Sequence, residues 1–170
     1  MAGKASPSKI QILLARLVII LMVVFVAVGI LMYGLSVPVF ERIWDNLLGR
    51  TTGPMTFRFI LQPIMATLAA LRDGVADART GRSPYFWTIL SDESRRSGRL
   101  YEGLISTARV LLLGLVMDAI YQYIVFDTFQ PAESVIIAVL LAFVPYLVVR
   151  GLVTRVARRW FGVGSADETR

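Results

Sequence analysis

The sequence contains no cysteine and no histidine. The absence of cysteine excludes disulfides, thiolate nucleophiles and sulfur-ligated metals. The absence of histidine removes the commonest metal ligand and the commonest general base near neutral pH. Nucleophilic sites of the serine–histidine or cysteine–histidine type are therefore excluded, and there is no glycine-rich phosphate loop. We expect neither a catalytic residue nor a cofactor.

Charged residues are also scarce. They make up 18% of the 170 residues, whereas 56% are hydrophobic and the mean hydropathy is +0.65, which indicates an integral membrane protein. The net charge of +6 is carried almost wholly by arginine, since Lys4 and Lys9 are the only lysines. Because these arginines cluster beside hydrophobic runs, they indicate anionic lipid headgroups as partners and argue against nucleic acid.

Four apolar segments predict an all-α membrane protein with four transmembrane helices in a single domain. They span residues of about 13–35, 56–78, 103–126 and 133–150. The uncharged run from 17 to 35 approaches the roughly 20 residues that cross a hydrocarbon core. A secretory apolar region is shorter, about 7–15 residues, which favours an uncleaved anchor.

Two amphipathic segments, 38–49 and 150–161, flank these spans. The first has Trp44 on its apolar face, which is typical of a helix lying in the membrane interface; a connector packed on the other helices is the alternative. The last residues, 162–170, are expected to form a frayed tail.

The second segment is the least regular of the four. Arg58 and Arg72 would stand about 21 Å apart on a helix, which is short for a span. Gln62 and Pro63 interrupt the apolar run, and Pro63 either kinks a helix or begins one. A proline-kinked span and a re-entrant segment are both compatible with this pattern.

Small residues recur along the same segment at Ala66, Ala70 and Gly74. This spacing lets another helix approach closely and predicts that the segment lies in the interior of the bundle.

Asp73 and Asp77 follow on the neighbouring helix face. Two carboxylates at this spacing could hold a divalent cation through oxygen ligands, and they are a weak candidate for a metal site. Because Arg72 and Arg79 accompany them, a solvated, charge-balanced helix end is the favoured interpretation.

Asp118 is the most unusual residue of the third span. A carboxylate at membrane depth costs several kcal/mol, about 3 or more, unless it is paired or protonated. Gln122 shares its helix face. If the second segment crosses the membrane, Gln62 lies at a comparable depth and Arg58 can reach down from the outer boundary. We therefore predict an intramembrane polar link of Arg58 and Gln62 with Asp118 and Gln122, acting as a structural clamp or as a proton or substrate relay.

The basic residues predict the orientation of the spans. The turn at 127–133 has no lysine or arginine and should face away from the cytoplasm, which places the C-terminus inside. Four spans and three spans both leave 14 basic residues inside and three outside. Lysines before a first span favour an N-terminus inside, so four spans with both termini in the cytoplasm are predicted.

The arginines in 95–99 and 150–159 are expected to bind anionic headgroups, with an acidic partner as the alternative. The headgroup candidates are Arg95, Arg96, Arg99, Arg155, Arg158 and Arg159.

The run LQPIMATLAALRDGVADARTGRSPYFW, followed by VMDAIYQYIVF and LAFVPYLVVRG, covers roughly residues 56–151. In this run the chain resembles a family of small, uncharacterised bacterial inner-membrane proteins. The resemblance implies a bacterial membrane location and carries no assigned activity.

Taken together, these patterns favour a non-catalytic accessory, scaffold or assembly component that packs against other membrane proteins or itself. A small oligomeric transporter or channel that uses Asp118 is the alternative, and a lipid-modifying enzyme comes third.

Overall fold

The structure is a computed structural model that describes residues 6–34, 37–49, 56–83 and 85–161. The predicted frayed tail, 162–170, lies outside the described residues. The described part is helical and contains no strand. Its elements are α1 (Lys9–Tyr33), α2 (Val37–Gly49), α3 (Arg58–Arg79), α4 (Tyr85–Ser91), α5 (Glu93–Val125), α6 (Pro131–Ala138), a π-turn (Val139–Phe143) and α7 (Val144–Phe161).

Four helical stretches are long and apolar enough to cross a membrane. They are Lys9–Tyr33, Arg58–Arg79, Glu93–Val125 and Pro131–Trp160. The predicted all-α fold with four candidate transmembrane helices is confirmed.

Local sequence explains where the helices begin and end. Ser8 and Gln11 form a reciprocal capping box at the start of α1, and Gly34, with φ of 69°, ends this helix. The side chain of Asp92 accepts the backbone N–H of Arg95 at 3.2 Å and so caps α5. The polar first turns of α5 therefore belong to the same helix as its apolar run.

α3 is one uninterrupted helix although Pro63 lies inside it. Its 22 residues correspond to about 33 Å, enough to cross a hydrocarbon core. The alternative prediction that a helix begins at Pro63 is therefore wrong. The backbone of Arg58–Arg79 is also not broken, as a re-entrant segment would require.

The fourth candidate span runs through α6, the π-turn and α7. The backbone N–H of Val144 bonds to the carbonyl of Val139, five residues back, which is the hydrogen bond of a π-turn. Pro145, which lacks an N–H, follows directly. The segment predicted as a separate amphipathic helix at 150–161 is a continuation of this helix.

The helices pack in two groups that share α5 and the fourth span. α1 packs against α5 and α6, whereas α3 packs mainly against α7. The Tyr33 hydroxyl donates to the carbonyl of Phe129 at 2.9 Å, so α1 ends beside the turn that joins α5 to α6. We call this side of the molecule the turn end, and the opposite side, which carries residues 79–99 and 150–161, the basic end.

α2 lies at the turn end. The amide nitrogen of Asn46 donates to the buried carboxylate of Glu133 at 3.1 Å, which ties α2 to the start of α6. Trp44 and Leu48 are exposed on the same helix. α2 therefore both contacts the bundle and presents an apolar surface outward.

The small-residue ladder of α3 faces α7. Ala66 and Ala70 are fully buried beside Tyr85 and Tyr146. The remaining ladder position, Gly74, is buried as well. The ladder thus serves packing within the chain.

Gly74→Ala should lower the free energy of unfolding by about 1–3 kcal/mol, because the new methyl group overpacks the contact with α7. A Cβ at this position would stand 2.9 Å from the Cβ of Val153 and 3.0 Å from the Arg150 carbonyl oxygen. Gly98→Ala is the matched control, since nothing lies within 4 Å of its Cβ position, and it should stabilise α5 by up to about 1 kcal/mol. Unfolding in mixed detergent micelles measures both; equal effects would contradict the packing argument.

Candidate functional site

Two groups of polar side chains connect the helices, one toward each end of the bundle. The turn-end cluster comprises Arg58, Gln62, Asp118, Gln122 and Ser134. The basic-end cluster comprises Asp73, Asp77, Arg82, Tyr85, Arg99, Glu102, Ser106, Tyr146 and Arg150.

The centre of the turn-end cluster is an ion pair between α3 and α5. Arg58 Nη2 lies 2.6 Å from Asp118 Oδ1, and the two side chains are 3% and 0% exposed. Asp118 stands about 10 Å along the axis from the end of α5 at Val125. The guanidinium supplies the counter-charge that a carboxylate removed from water requires.

Gln122 connects this ion pair to α6. Its Nε2 lies 2.7 Å from Asp118 Oδ2 and 3.1 Å from Ser134 Oγ, while its Oε1 accepts the backbone N–H of Gln130 at 2.5 Å. Gln130 precedes α6, so one amide side chain bonds to both helices that flank the turn. The cluster therefore joins α3, α5 and α6.

Gln62 belongs to this cluster through packing. Its side chain covers Gly114 of α5 so closely that a Cβ there would clash with Gln62 Nε2. Both polar atoms of the Gln62 amide, and Nε and Nη1 of Arg58, are buried without a hydrogen-bond partner among the described residues. The hydrogen-bonded part of the link consists of Arg58, Asp118 and Gln122.

The centre of the basic-end cluster is Arg150, which is fully buried. Its Nε and Nη2 lie 2.8 and 2.7 Å from Asp77 Oδ2, and its Nη1 donates to the Tyr146 hydroxyl at 2.7 Å. Its Cζ stands 3.9 Å from the centre of the Tyr85 ring, a cation–π contact. The expectation that Arg150 contacts lipid headgroups is wrong, because its face of α7 is turned toward α3.

The two aspartates of α3 are part of the same network. Asp77 is 1% exposed, and its Oδ1 lies 3.6 Å from Arg99 Nη1 and 3.8 Å from Arg82 Nη1. Asp73 Oδ2 accepts hydrogen bonds of 2.6 Å from the hydroxyls of Ser106 and Tyr146. The interpretation as a solvated helix end is wrong, because α5 and α7 cover both carboxylates.

These contacts occupy oxygens of Asp73 and Asp77, the weak candidate pair for a metal site. Both aspartates bond to guanidinium or hydroxyl groups of the protein. Within the described ranges, no group of three or more acidic side chains is placed to hold a metal ion. The pair therefore acts as an acceptor for donors on α5 and α7.

Glu102 completes the charge balance of the basic-end cluster. Its two oxygens lie 2.8 Å from Arg82 Nη1 and 3.3 Å from Arg150 Nη2. Glu102 and Asp77 are thus the two carboxylates that face the guanidiniums of Arg82, Arg99 and Arg150, whereas Asp73 accepts from hydroxyl groups. Sequence reasoning missed Glu102, Tyr146 and the buried role of Arg150. The sequence feature that could have indicated this network is the four-residue spacing of Tyr146 and Arg150, which matches that of Asp73 and Asp77.

Tyr85 fixes α4 against this cluster. Its hydroxyl donates to the carbonyl oxygen of Arg99. Burial raises the pKa of Tyr85 to about 12, although the positive charge of Arg150 acts in the opposite direction. The phenol therefore stays protonated at neutral pH and serves as a hydrogen-bond donor.

The predicted headgroup arginines divide into two groups. Arg99 is only 11% exposed and takes part in the basic-end cluster. Arg158 is half-buried and donates to the carbonyls of Gly81 and Arg82. The side chains that remain exposed are those of Arg95, Arg96, Arg155 and Arg159.

No protein-family model, curated protein or solved structure matches this chain. The chemistry of the two clusters is that of permanent guanidinium charges held against carboxylates between helices. Such pairs position helices relative to one another, since each partner is held by an atom on a neighbouring element.

Proposed function

We propose that the protein is a non-catalytic accessory, scaffold or assembly component of the bacterial inner membrane. The observation that carries the proposal is the pairing of Asp118, the carboxylate best placed for coupling to transport, with Arg58 at 2.6 Å in a fully buried position. Because the Asp118 carboxylate is bonded to a guanidinium on another helix, it fixes the separation of α3 and α5. A side chain held in this way is poorly placed to bind and release a transported substrate.

The partner surface we propose is the outward face of α3. Because α7 covers the ladder of Ala66, Ala70 and Gly74, a partner has to use another face of the helix. An exposed apolar stripe runs along the opposite side, formed by Ile60, Ile64, Leu68 and Leu71. This stripe can pack against a span of another membrane protein or of a second copy.

Affinity capture from native membranes tests the proposal. With a tag on the chain and extraction in a mild detergent, we expect one foreign membrane protein to be recovered in a fixed ratio to the chain. Recovery of a pure homo-oligomer that conducts protons after reconstitution would overturn the accessory role.

Both termini belong in the cytoplasm under this proposal, because the basic end carries most of the arginines and the turn end few. A reporter that is active only outside the cytoplasm should be silent at either terminus and active when inserted at Thr128 in the turn. An extracytoplasmic signal from the N-terminus would contradict the four-span orientation.

A small transporter or channel formed by oligomerisation is the second candidate. It is favoured by the buried polar atoms of Arg58 and Gln62 that have no hydrogen-bond partner among the described residues and lie next to Asp118. Proton flux into liposomes, compared between the wild type and Asp118→Asn, tests it. If proton flux is absent from both proteins, or if Asp118→Asn leaves it unchanged, Asp118 has no role in transport.

A further inference from the structure

A cleft of about 700 Å³ opens at the basic end, between residues 81–83, the first turns of α5 and the last turns of α7. Four guanidiniums line it together with a single carboxylate. These side chains are Arg82, Arg95, Arg99, Arg158 and Glu102. The lining is therefore strongly positive and suited to an anion.

Two of these arginines carry charge that the basic-end cluster does not balance. Arg82 and Arg99 face Asp77 and Glu102, as described above. Arg95 is 71% exposed, and its contact of 3.2 Å with Asp92 is a surface ion pair, a type that contributes little. Arg158 has no carboxylate partner among the described residues. The surplus positive charge of the cleft thus comes from Arg95 and Arg158.

Arg158 is held in place over the cleft. Its Nη2 donates to the carbonyl oxygens of Gly81, at 2.7 Å, and of Arg82. Its Nε is buried and has no hydrogen-bond partner within the described part of the chain. Arginine is well suited to phosphate oxygens because its guanidinium presents several donors in one plane, and the two carbonyls orient that of Arg158 in advance.

An apolar pocket of about 390 Å³ lies along the same face of α7. It is lined by Phe86, Trp87, Val148, Gly151, Leu152 and Arg155. Gly151, Arg155 and Arg158 share this face, since they follow one another at helical spacing. From Val148 to Arg158 the helix rises about 15 Å toward the basic end. The apolar pocket therefore lies on the membrane side of the arginine-lined cleft.

We propose that the cleft and the pocket together bind one anionic phospholipid, with the phosphate-bearing headgroup between Arg95 and Arg158 and an acyl chain beside Trp87. A soluble phosphate compound shares the headgroup chemistry but would leave the apolar pocket empty. The order of the two surfaces along α7 matches the order of headgroup and chain in a bilayer, which favours the lipid. The site is independent of the partner proposed above.

Quenching of Trp87 by brominated lipid tests the assignment directly. Trp44→Phe and Trp160→Phe leave Trp87 as the sole tryptophan of the chain, which has three. In phosphatidylcholine bilayers, an anionic phospholipid with brominated chains should quench Trp87 at about a tenfold lower mole fraction than brominated phosphatidylcholine does. Equal quenching by the two lipids would overturn the proposal.

The double variant Arg95→Gln/Arg158→Gln should reduce this preference about tenfold, to near unity, since each arginine near a headgroup adds several-fold to anion affinity. Arg72→Gln/Arg159→Gln removes the same charge from exposed positions outside the cleft and should keep the preference. The proposal would be contradicted if Arg95→Gln/Arg158→Gln kept the preference for anionic lipid. It would also be contradicted if both double variants lost that preference equally, because the effect would then come from general surface charge. If the double variant is not helical and monodisperse, Arg95→Gln alone decides, with an expected loss of about threefold.

Glycerol phosphate separates the two sources of the phosphate group. Added to the protein in uncharged detergent, it should bind too weakly to saturate at millimolar concentration. Saturable binding that Arg95→Gln/Arg158→Gln abolishes, without any lipid preference at Trp87, would assign the cleft to a soluble phosphate compound and overturn the lipid assignment.

Discussion

Asp118→Ala should lower the free energy of unfolding by about 3–5 kcal/mol, one of the two largest effects expected for a single substitution in this chain. The cause is the partner that remains. Arg58 would keep its charge in a site where its side chain is 3% exposed, with Nε and Nη1 already lacking partners in the described residues. Gln122 would in addition lose its 2.7 Å bond to the carboxylate. Unfolding in mixed micelles, followed by the loss of helical circular dichroism, measures the change.

The double variant Arg58→Met/Asp118→Leu controls for the source of this loss. If the cost comes from an unpaired buried charge, removing both charges with side chains of similar volume should recover most of the stability. If Asp118→Ala and the double variant have equal stability, the loss comes mainly from the packing around Asp118 and not from the unpaired charge.

Arg150→Gln should have a similar effect, a loss of about 3–5 kcal/mol, because it removes the cation closest to a buried carboxylate. Asp77 would lose contacts of 2.7 and 2.8 Å, and among the described residues its remaining cations would be Arg99 and Arg82, at 3.6 and 3.8 Å. The cation–π contact with Tyr85 would disappear as well.

Arg155→Gln is the matched control for this substitution. It makes the same chemical change five residues further along α7 at an exposed position, so the expected effect is within about 0.5 kcal/mol. Equal losses at the two positions would show that arginine contributes to this helix through a general property, such as lipid contact or solubility, and not through Asp77.

The four spans were predictable because apolar length is a property of each segment alone. The run from 17 to 35 follows from the number of apolar residues that a bilayer requires, whereas the sequence of α3 is compatible with both a span and a re-entrant segment. Depth can also be counted along each helix, which puts Gln62 at a depth comparable to that of Asp118 and lets Arg58 reach down from the outer boundary. The packing of the whole bundle decides which face of each helix contacts a neighbour. A single sequence carries little information about that packing.

Arg150 illustrates what was missed. It follows an apolar run and precedes Arg155, Arg158 and Arg159, so its surroundings in the sequence are those of a lipid-facing tail. The structure buries it because its carboxylate partner is Asp77, 73 residues away. Only the matching four-residue spacings on α3 and α7 hinted at this pairing.

The π-turn could not be predicted either. Its five residues, Val139–Phe143, are all apolar and differ in no obvious way from their neighbours in the same run. The fourth span packs against α1 before this turn and against α3 after it, and the sequence of one segment does not contain these contacts.

The π-turn changes which side of the fourth span each later residue faces. It contains one residue more than a regular α-helical turn, and this extra residue rotates the following part of the helix by about 100°. A regular helix through the same residues would direct either Ser134 and Ile137 or Tyr146 and Arg150 away from their present neighbours, since both sets are now buried. The fourth span can therefore serve two partners in succession, α1 toward the turn end and α3 toward the basic end, and the extra residue in Val139–Phe143 lets one continuous helix keep both polar clusters assembled.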